Sequence, residues 1–352
     1  MEAYKEHIIF YEGVARDALK ALDQLPDTAK RTLFVVNKEN NHLEGTITDG
    51  DIRRGLLNGK EISEPLRDFI HRDFKFLVEG EHNLEKIKQF KQSDIYLVPV
   101  IDAEGSLLEI LNLKKTRTLL PLSALIMAGG RGQRLQPLTD TVPKPMLHVG
   151  GKPIIEYNID RLIAFGVKEF YISVKYLKEQ IMDYFGDGSS KGVSIKYIEE
   201  TEPLGTLGSL AYLDQLSENN LLVMNSDLLT NIDFEDFFKF YKEKNADMAL
   251  ASIPYKVNVP YAVLETNAHQ VSAFSEKPTY TYYSNGGIYI IKSELKSKVA
   301  KGKFYNATDL MDEIIADENK TLAHFPLLDY WLDIGKHQDF LKAQEDVTRI
   351  HF

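Results

Sequence analysis

From Ser123 onward the chain alternates short apolar runs with longer amphipathic ones, and no other feature of the sequence restricts the available folds as much. SALIMA (Ser123–Ala128), EFYISV (Glu169–Val174), VSIKYIE (Val193–Glu199), NLLVMN (Asn220–Asn225) and DMALASI (Asp247–Ile253) have the length and side-chain branching of strands. Between them, IIEYNIDRLIAFG, LKEQIMDYF, LGSLAYLDQL and FEDFFKFYKEK place apolar residues three and four apart, the period of a helix with one buried face. Strands separated by helices pair in parallel, with helices covering both faces of the sheet. The expected class is therefore α/β.

In such a sheet, ligand-binding groups gather where a strand ends and the chain turns toward the next helix. The first strand of this region runs directly into AGGRGQRLQPLTDTVPKP (Ala128–Pro145). Gly129, Gly130 and Gly132 let backbone N–H groups approach an anion without an intervening Cβ, and successive amides form an anion-binding concavity. Arg131 and Arg134 add charge, and the rings of Pro143 and Pro145 restrict the backbone on either side of Lys144. The spacing is neither G-x-x-x-x-G-K-[ST] nor G-x-G-x-x-G. A phosphate site is indicated, but not one of the two commonest kinds.

Any such site is local. The chain has 352 residues and a formal net charge of −10, which argues against a general attraction to nucleic acid or to an anionic membrane surface. It has no cysteine, which excludes disulfides, thiolate metal sites and cysteine nucleophiles and suits a reducing compartment. MEAYKEHIIFYEG carries acidic residues where a signal peptide has a basic region, and no apolar run reaches membrane-spanning length, so the protein reads as cytoplasmic.

This length exceeds what one hydrophobic core usually spans, and the N-terminal third differs in kind from the rest. Sliding LFVVNKENNHLEGTIT (Leu33–Thr48) over LVPVIDAEGSLLEILN (Leu97–Asn112) pairs Leu33 with Leu97, Val36 with Val100, Leu43 with Leu107 and Ile47 with Leu111, without a gap. Each copy reads as strand, polar turn, strand, preceded by a helical pattern at VARDALKALDQL or HNLEKIKQFKQ. The basic, proline-marked LKKTRTLLPLS (Leu113–Ser123) is the candidate linker, giving domains 1–119 and 123–352.

The duplicated third resembles a tandem pair of cystathionine-β-synthase (CBS) domains. That resemblance implies a regulatory or dimerising module, a homodimer or larger assembly, and an adenine nucleotide as candidate ligand, with Thr48 and Asp51 of GTITDGDIRRGL matching the ribose contacts. Asn112 and Lys115 stand at the equivalent positions of the second copy. Asp49 and Asp51 equally suit a helix cap before Ile52.

The glycine-rich stretch is similar to the signature of the sugar-1-phosphate nucleotidyltransferases, G-G-x-G-x-R-L-x-P-L-T followed by P-K-P. This implies a Rossmann-like, mixed but mostly parallel sheet, with Ala128, Gly129, Gly130, Gly132 and Gln133 at the nucleotide; the family usually has Thr at the position of Gln133. EETEPLGTLGSL (Glu199–Leu210) resembles the family's base-reading loop, which brings Pro203, Gly205 and Thr206 to the nucleotide. VMNSDLL and WLDIGKHQDFL supply Asp227 and Asp333 as magnesium ligands. FSEKP and SNGGIYII supply Glu276, Lys277, Asn285 and Gly286 for the sugar phosphate. Arg134 and Lys144, with the two aspartates, are the implied catalytic residues.

Taken singly, Asp227 reads as a cap, Asp333 as a turn residue and Glu276 with Lys277 as an exposed ion pair. Together, in family order, they imply transfer of a nucleoside monophosphate from a triphosphate, GTP favoured, to a hexose 1-phosphate. PLGT and the preceding CBS-like pair resemble the glucosamine-1-phosphate guanylyltransferases of bacterial legionaminic acid synthesis, with mannose 1-phosphate the other acceptor. Uridylyl-, cytidylyl- or thymidylyl transfer, an inactive nucleotide sensor and a structural partner in glycan synthesis are the competing readings.

Overall fold

The apolar slide that superposes the N-terminal repeat is realised as two small sheets. The computed structural model describes residues 4–26, 31–213, 215–350 and 352, and the chain divides into two units, Met1–Leu119 and Leu120–Phe352. In the first, β1 (Ile8–Phe10), α1 (Ala15–Gln24), β2 (Thr32–Val36), β3 (Leu43–Thr48) and α2 (Asp49–Leu57) are followed by β4 (Leu77–Val78), α3 (Leu84–Gln92), β5 (Leu97–Ile101) and β6 (Leu107–Asn112). The sheets are β1-β2-β3 and β4-β5-β6, each with one parallel and one antiparallel pair. Two backbone hydrogen bonds related by the repeat join them: Leu43 N–H to Gly105 O (3.0 Å) and Leu107 N–H to Asn41 O (2.9 Å). Phe34, Val36, Leu43, Leu107 and Ile110 bury a shared core there.

In the second unit, β7 (Ser123–Ala128) leads through the glycine-rich loop to a short hairpin of β8 (His148–Val149) and β9 (Lys152–Pro153), then α4 (Ile154–Ala164). β10 (Glu169–Val174), α5 (Lys178–Phe185), β11 (Ser194–Glu199), β12 (Asn220–Asn225), β13 (Leu228–Thr230), α6 (Phe234–Glu243) and β14 (Met248–Asn258) follow. The chain continues with β15 (Val263–Asn267), β16 (Gln270–Ser275), β17 (Thr279–Lys292), α7 (Ala307–Ile315), β18 (Leu322–Pro326), β19 (Trp331–Asp333) and α8 (His337–Asp346).

Seven strands form one sheet in the order β11-β10-β7-β12-β17-β14-β18, in which only β17 runs against the rest. The α/β class with a mostly parallel sheet is thus what the chain adopts. Ala124, Leu125 and Ile126 of β7 are each 0% exposed, as expected of a strand covered on both faces. Burying one such large side chain contributes roughly 1.5–3 kcal/mol.

Two segments differ from the sequence expectation. LGSLAYLDQL forms only a 3-10 helix over Gly208–Tyr212, and Asp214 within it lies outside the described residues. The cause is competition for backbone groups. Leu207 N–H bonds Tyr305 O (2.8 Å) and Tyr305 N–H bonds Leu204 O (2.9 Å), while Gly205 and Gly208 sit so close to the 303–306 backbone that a Cβ would lie 2.7 Å from Tyr305 O or 2.9 Å from Lys303 O. The outer halves of β14 and β17, with the β15–β16 hairpin, form an arm whose residues from Tyr255 to Asn285 are almost all exposed.

Candidate active site

A cleft of about 970 Å³ opens where β7, β10, β11 and β12 end. β7 contributes Met127 and the following Gly129, Gly130 and Arg131; β10 is followed there by Lys175, Tyr176 and Leu177. Glu200, Pro203, Leu204, Gly205 and Thr206 come after β11, and Asn225, Ser226 and Asp227 from the end of β12. Lys144, Pro145 and Phe304 complete the wall.

The glycine-rich loop is held from several sides. Gly132 has φ +66°, left-handed backbone that an L side chain rarely adopts. Thr139 Oγ1 donates to Gly132 O at 2.9 Å. Tyr176 Oη donates to Thr139 O (3.1 Å) and Asp140 O (2.9 Å), its ring lies 5.5 Å from the Arg131 guanidinium, and Gln180 donates to Thr141 O (2.8 Å). The loop returns on a 3-10 turn, Lys144–Met146, which points Lys144 back at the cleft. Ala128 is buried at the strand end, whereas Gln133 and Arg134 are exposed and do not line the cleft.

Lys144 is the centre of the charged group. Its side chain is 12% exposed, hydrogen-bonded to Asp227 Oδ2 and 3.8 Å from Asp333 Oδ1. The two aspartates are far apart in sequence, and a two-strand ladder unites them: β13 pairs β19 with Leu228 opposite Asp333, and Ile334 N–H bonds Asp227 O at 3.1 Å. Burial pushes the Asp333 carboxyl above its usual range, and the Asp227 carboxylate raises it further against the opposing charges of Lys144 and Arg134. Asp227 Oδ1 and Asp333 Oδ1 are buried without a hydrogen-bond partner among the described residues.

Those two unpartnered carboxylate oxygens fit a hard cation. Among the described residues no group of three or more His, Asp or Glu could hold a metal ion. Magnesium does not demand one, because it is commonly held by one or two carboxylates with substrate phosphates and water in the remaining positions.

The four residues singled out for the sugar phosphate do not line the cleft. Glu276 and Lys277 are exposed on the arm between β16 and β17, with Lys277 at φ +44°. Asn285 Oδ1 accepts from Gly287 N–H (2.9 Å), and Gly286 O accepts from Trp331 Nε1 (2.9 Å), which ties β17 to the strand that carries Asp333. Thr206 is at the cleft but opens no α-helix beyond it; its Oγ1 accepts from Ala307 N–H at 2.6 Å and so caps α7. In the first unit, Thr48 and Asp51 form a capping box at the start of α2, with Thr48 Oγ1 donating to Asp51 Oδ2 (2.6 Å) and Arg54 to Asp51 Oδ1 (2.6 Å).

Lys175, Tyr176, Glu200 and Asn225 line the cleft and escaped the sequence reading. All lie at or just past the carboxyl ends of β10, β11 and β12, so the strand-end rule applied beyond β7 would have found them.

Comparison with known proteins agrees with this architecture. A family model described as nucleotidyl transferase matches residues 123–350. A mannose-1-phosphate guanyltransferase of Yarrowia lipolytica is 31% identical over 230 residues, covering 63% of this chain and 63% of its own length. A mannose-1-phosphate guanylyltransferase of Mycobacterium tuberculosis is 29% identical over 235 residues, 65% of each chain. The matched region is thus less than two thirds of either relative. A Bacillus anthracis protein described as a glucose-1-phosphate thymidylyltransferase, solved in complex with sucrose, shares the fold at a TM-score of 0.54 and 22% identity, covering 66% of this chain and 97% of that one. The chain belongs to the nucleotidyl transferase family.

Proposed function

We propose that the protein transfers GMP from GTP to a hexose 1-phosphate, releasing pyrophosphate and forming a GDP-sugar for bacterial surface glycan synthesis. The observation that carries this reading is Lys144 set between Asp227 and Asp333 at the edge of a glycine-lined cleft. The mannose-1-phosphate guanylyltransferase relatives support the base and the hexose. Glucosamine 1-phosphate is the preferred acceptor on the strength of the CBS-like first unit, with mannose 1-phosphate second.

The chemistry is attack by an oxygen of the sugar phosphate on the α-phosphorus, with cleavage of the bond to pyrophosphate. The nucleophile is already ionised, so no general base is required, and the obstacle is repulsion between two anions. The loop amides and Arg134 draw the triphosphate in and neutralise the leaving group. Lys144 stabilises charge that builds at the α-phosphate, where it is worth most in the transition state. Lys277 meets the sugar phosphate, and Glu276 and Asn285 its hydroxyls, which requires the exposed arm to close over the cleft. Asp227 and Asp333 would hold magnesium, which supplies charge neutralisation between phosphate oxygens.

We read the first unit as a CBS-like module that binds one adenine nucleotide. A cleft of about 300 Å³ there is lined by Thr48 with Thr32, Thr46, Asp73 and Asp94, which gives hydroxyl and carboxylate partners for a ribose; Asp51 is not on its wall and bears on it through Thr48, whose hydroxyl donates to the Asp51 carboxylate. Assembly as a homodimer or larger and a cytoplasmic location complete the proposal. The test is pyrophosphate release with GTP, ATP, CTP, UTP and dTTP against a panel of hexose 1-phosphates. GTP with glucosamine or mannose 1-phosphate is expected to be fastest; faster turnover with a pyrimidine triphosphate reassigns the base, and no release with any pair removes the enzyme.

A further inference from the structure

We propose that Asn158 and Arg161 are positioning residues, which hold the 226–232 segment from the buried face of α4 and thereby set Asp227 against Asp333. The inference rests on the role proposed for that aspartate pair. The buried face of α4 is otherwise apolar, made of Ile154, Ile155, Ile159 and Leu162, yet Asn158 and Arg161 lie in it at 2% and 7% exposed. They are three residues apart and so share one side of the helix. A buried amide or guanidinium is costly unless it is hydrogen-bonded. Both find partners in one short stretch of chain, the stretch that contains Asp227.

That stretch is gripped on both sides of the aspartate. Before it, Asn158 Nδ2 donates to Ser226 O at 3.4 Å. After it, Arg161 Nε donates to Ile232 O at 3.0 Å, and Arg161 Nη2 donates to Asn231 O and Ile232 O. Asn231 passes the hold to the other strand: its N–H donates to Tyr330 O (3.2 Å) and its Oδ1 accepts from Tyr330 N–H (2.8 Å). Thr230 Oγ1 adds a bond to Tyr330 O at 2.9 Å. Tyr330 immediately precedes β19, so α4 fixes one end of the β13–β19 ladder and the two carboxylates stand at the other.

The ladder needs such a hold. It is a sheet of two strands and three residue pairs, separate from the seven-stranded one, and a two-stranded sheet alone is marginal in water. At its carboxylate end Asp227 and Asp333 repel each other. A guanidinium suits the opposite end, because its planar fork fixes two acceptors at once through charge-assisted bonds, whereas an ammonium is a point charge that leaves their direction free. Arg161 acts on the chemistry through the ladder.

The experiment compares the full wild-type chain with Arg161→Lys and Asn158→Ala, at a temperature where thermal denaturation shows each variant folded. The readouts are amide hydrogen exchange in β13, β19 and Ile334, manganese affinity in the presence of GTP by electron paramagnetic resonance, and pyrophosphate release. Exchange in the ladder is expected to speed up about 10- to 100-fold in Arg161→Lys and by a smaller factor in Asn158→Ala, while β7 and β12 keep wild-type protection. Manganese affinity and kcat should each fall about tenfold in Arg161→Lys, since a misplacement of about 1 Å can cost about 100-fold in rate. Asn158→Ala, with a fall of about threefold in both, carries the test if Arg161→Lys does not fold. Unchanged ladder exchange in the folded variants overturns the proposal. Faster exchange with manganese affinity and kcat unchanged also overturns it, because that is what packing alone would give. Faster ladder exchange and weaker manganese binding, with no pyrophosphate released by wild type with any hexose 1-phosphate, upholds the positioning role while removing the proposed transfer.

Discussion

Replacing Gly132 by alanine tests whether the glycine-rich loop sets the position of Lys144. The new Cβ would lie 2.9 Å from Lys144 Cβ and 3.1 Å from Thr139 Cγ2, on backbone at φ +66°. The left-handed conformation costs a non-glycine residue roughly 1–2 kcal/mol. The clash adds to this, because a Cβ cannot swing away as a side-chain tip can, and the total should be about 2–3 kcal/mol. For a unit of this size that corresponds to a fall in melting temperature of roughly 4–12 °C.

Relief of the clash should move Lys144 by a few tenths of an ångström relative to its partner Asp227. Since a misplacement of about 1 Å can cost about 100-fold in rate, kcat should fall about tenfold at saturating GTP and sugar phosphate. Gly130→Ala is the control, because its Cβ would meet nothing within 4 Å. It should unfold with wild-type stability, so any loss of turnover there reports the nucleotide. A Gly132→Ala enzyme with wild-type kcat and an unshifted melting transition refutes the reasoning.

Asp227→Asn should abolish turnover with the fold retained, since a neutral amide cannot balance the cations it faces; near wild-type activity at saturating magnesium would sink its proposed role. Lys144→Ala should lower kcat more than it raises the Michaelis constants, and a pure Michaelis-constant effect would make it a ground-state contact. Glu169 gives a pH dependence of stability. Burial would raise its pKa, but Ser217 N–H, the Ser123 and Ser217 hydroxyls and Lys196 together hold it at about 2 against an ordinary 4.5. A depressed carboxylate stabilises the fold above its unfolded pKa and loses that contribution as pH falls through the folded one, so the stability gap between wild type and Glu169→Gln should narrow from pH 4.5 toward about 2. A gap that is constant across that window removes the ion-pair account. In the first unit, calorimetric titration of AMP, ADP and ATP should find one site per chain, weakened by Asp51→Ala; undiminished binding in that variant excludes Asp51 as a ligand.

Much of the second unit was legible in sequence because its determinants are local. Five strands, their helices and the glycines of the loop after β7 each fit within a dozen residues, where periodicity and missing Cβ atoms act directly. The 207–216 run misled for the same reason: its apolar spacing is helical, but Gly205 and Gly208 are spent on approach to the 303–306 backbone, a partner about 100 residues away. The arm from Tyr255 to Asn285 gave no core-facing period, because it has no core beneath it.

Tertiary structure decided the rest through register. Nothing local pairs Asp227 with Asp333; the β13–β19 ladder does, and with Lys144 it turns two ordinary strand-end aspartates into one charged centre. Glu199 and Glu200 are the plainest case. They are adjacent and chemically identical, and composition cannot tell them apart. Side chains alternate across a strand, so Glu199 turns outward to pair with Lys178 while Glu200 turns inward onto buried Ser173 and the cleft. The sequence sets two carboxylates side by side, and the sheet chose which one faces the cleft.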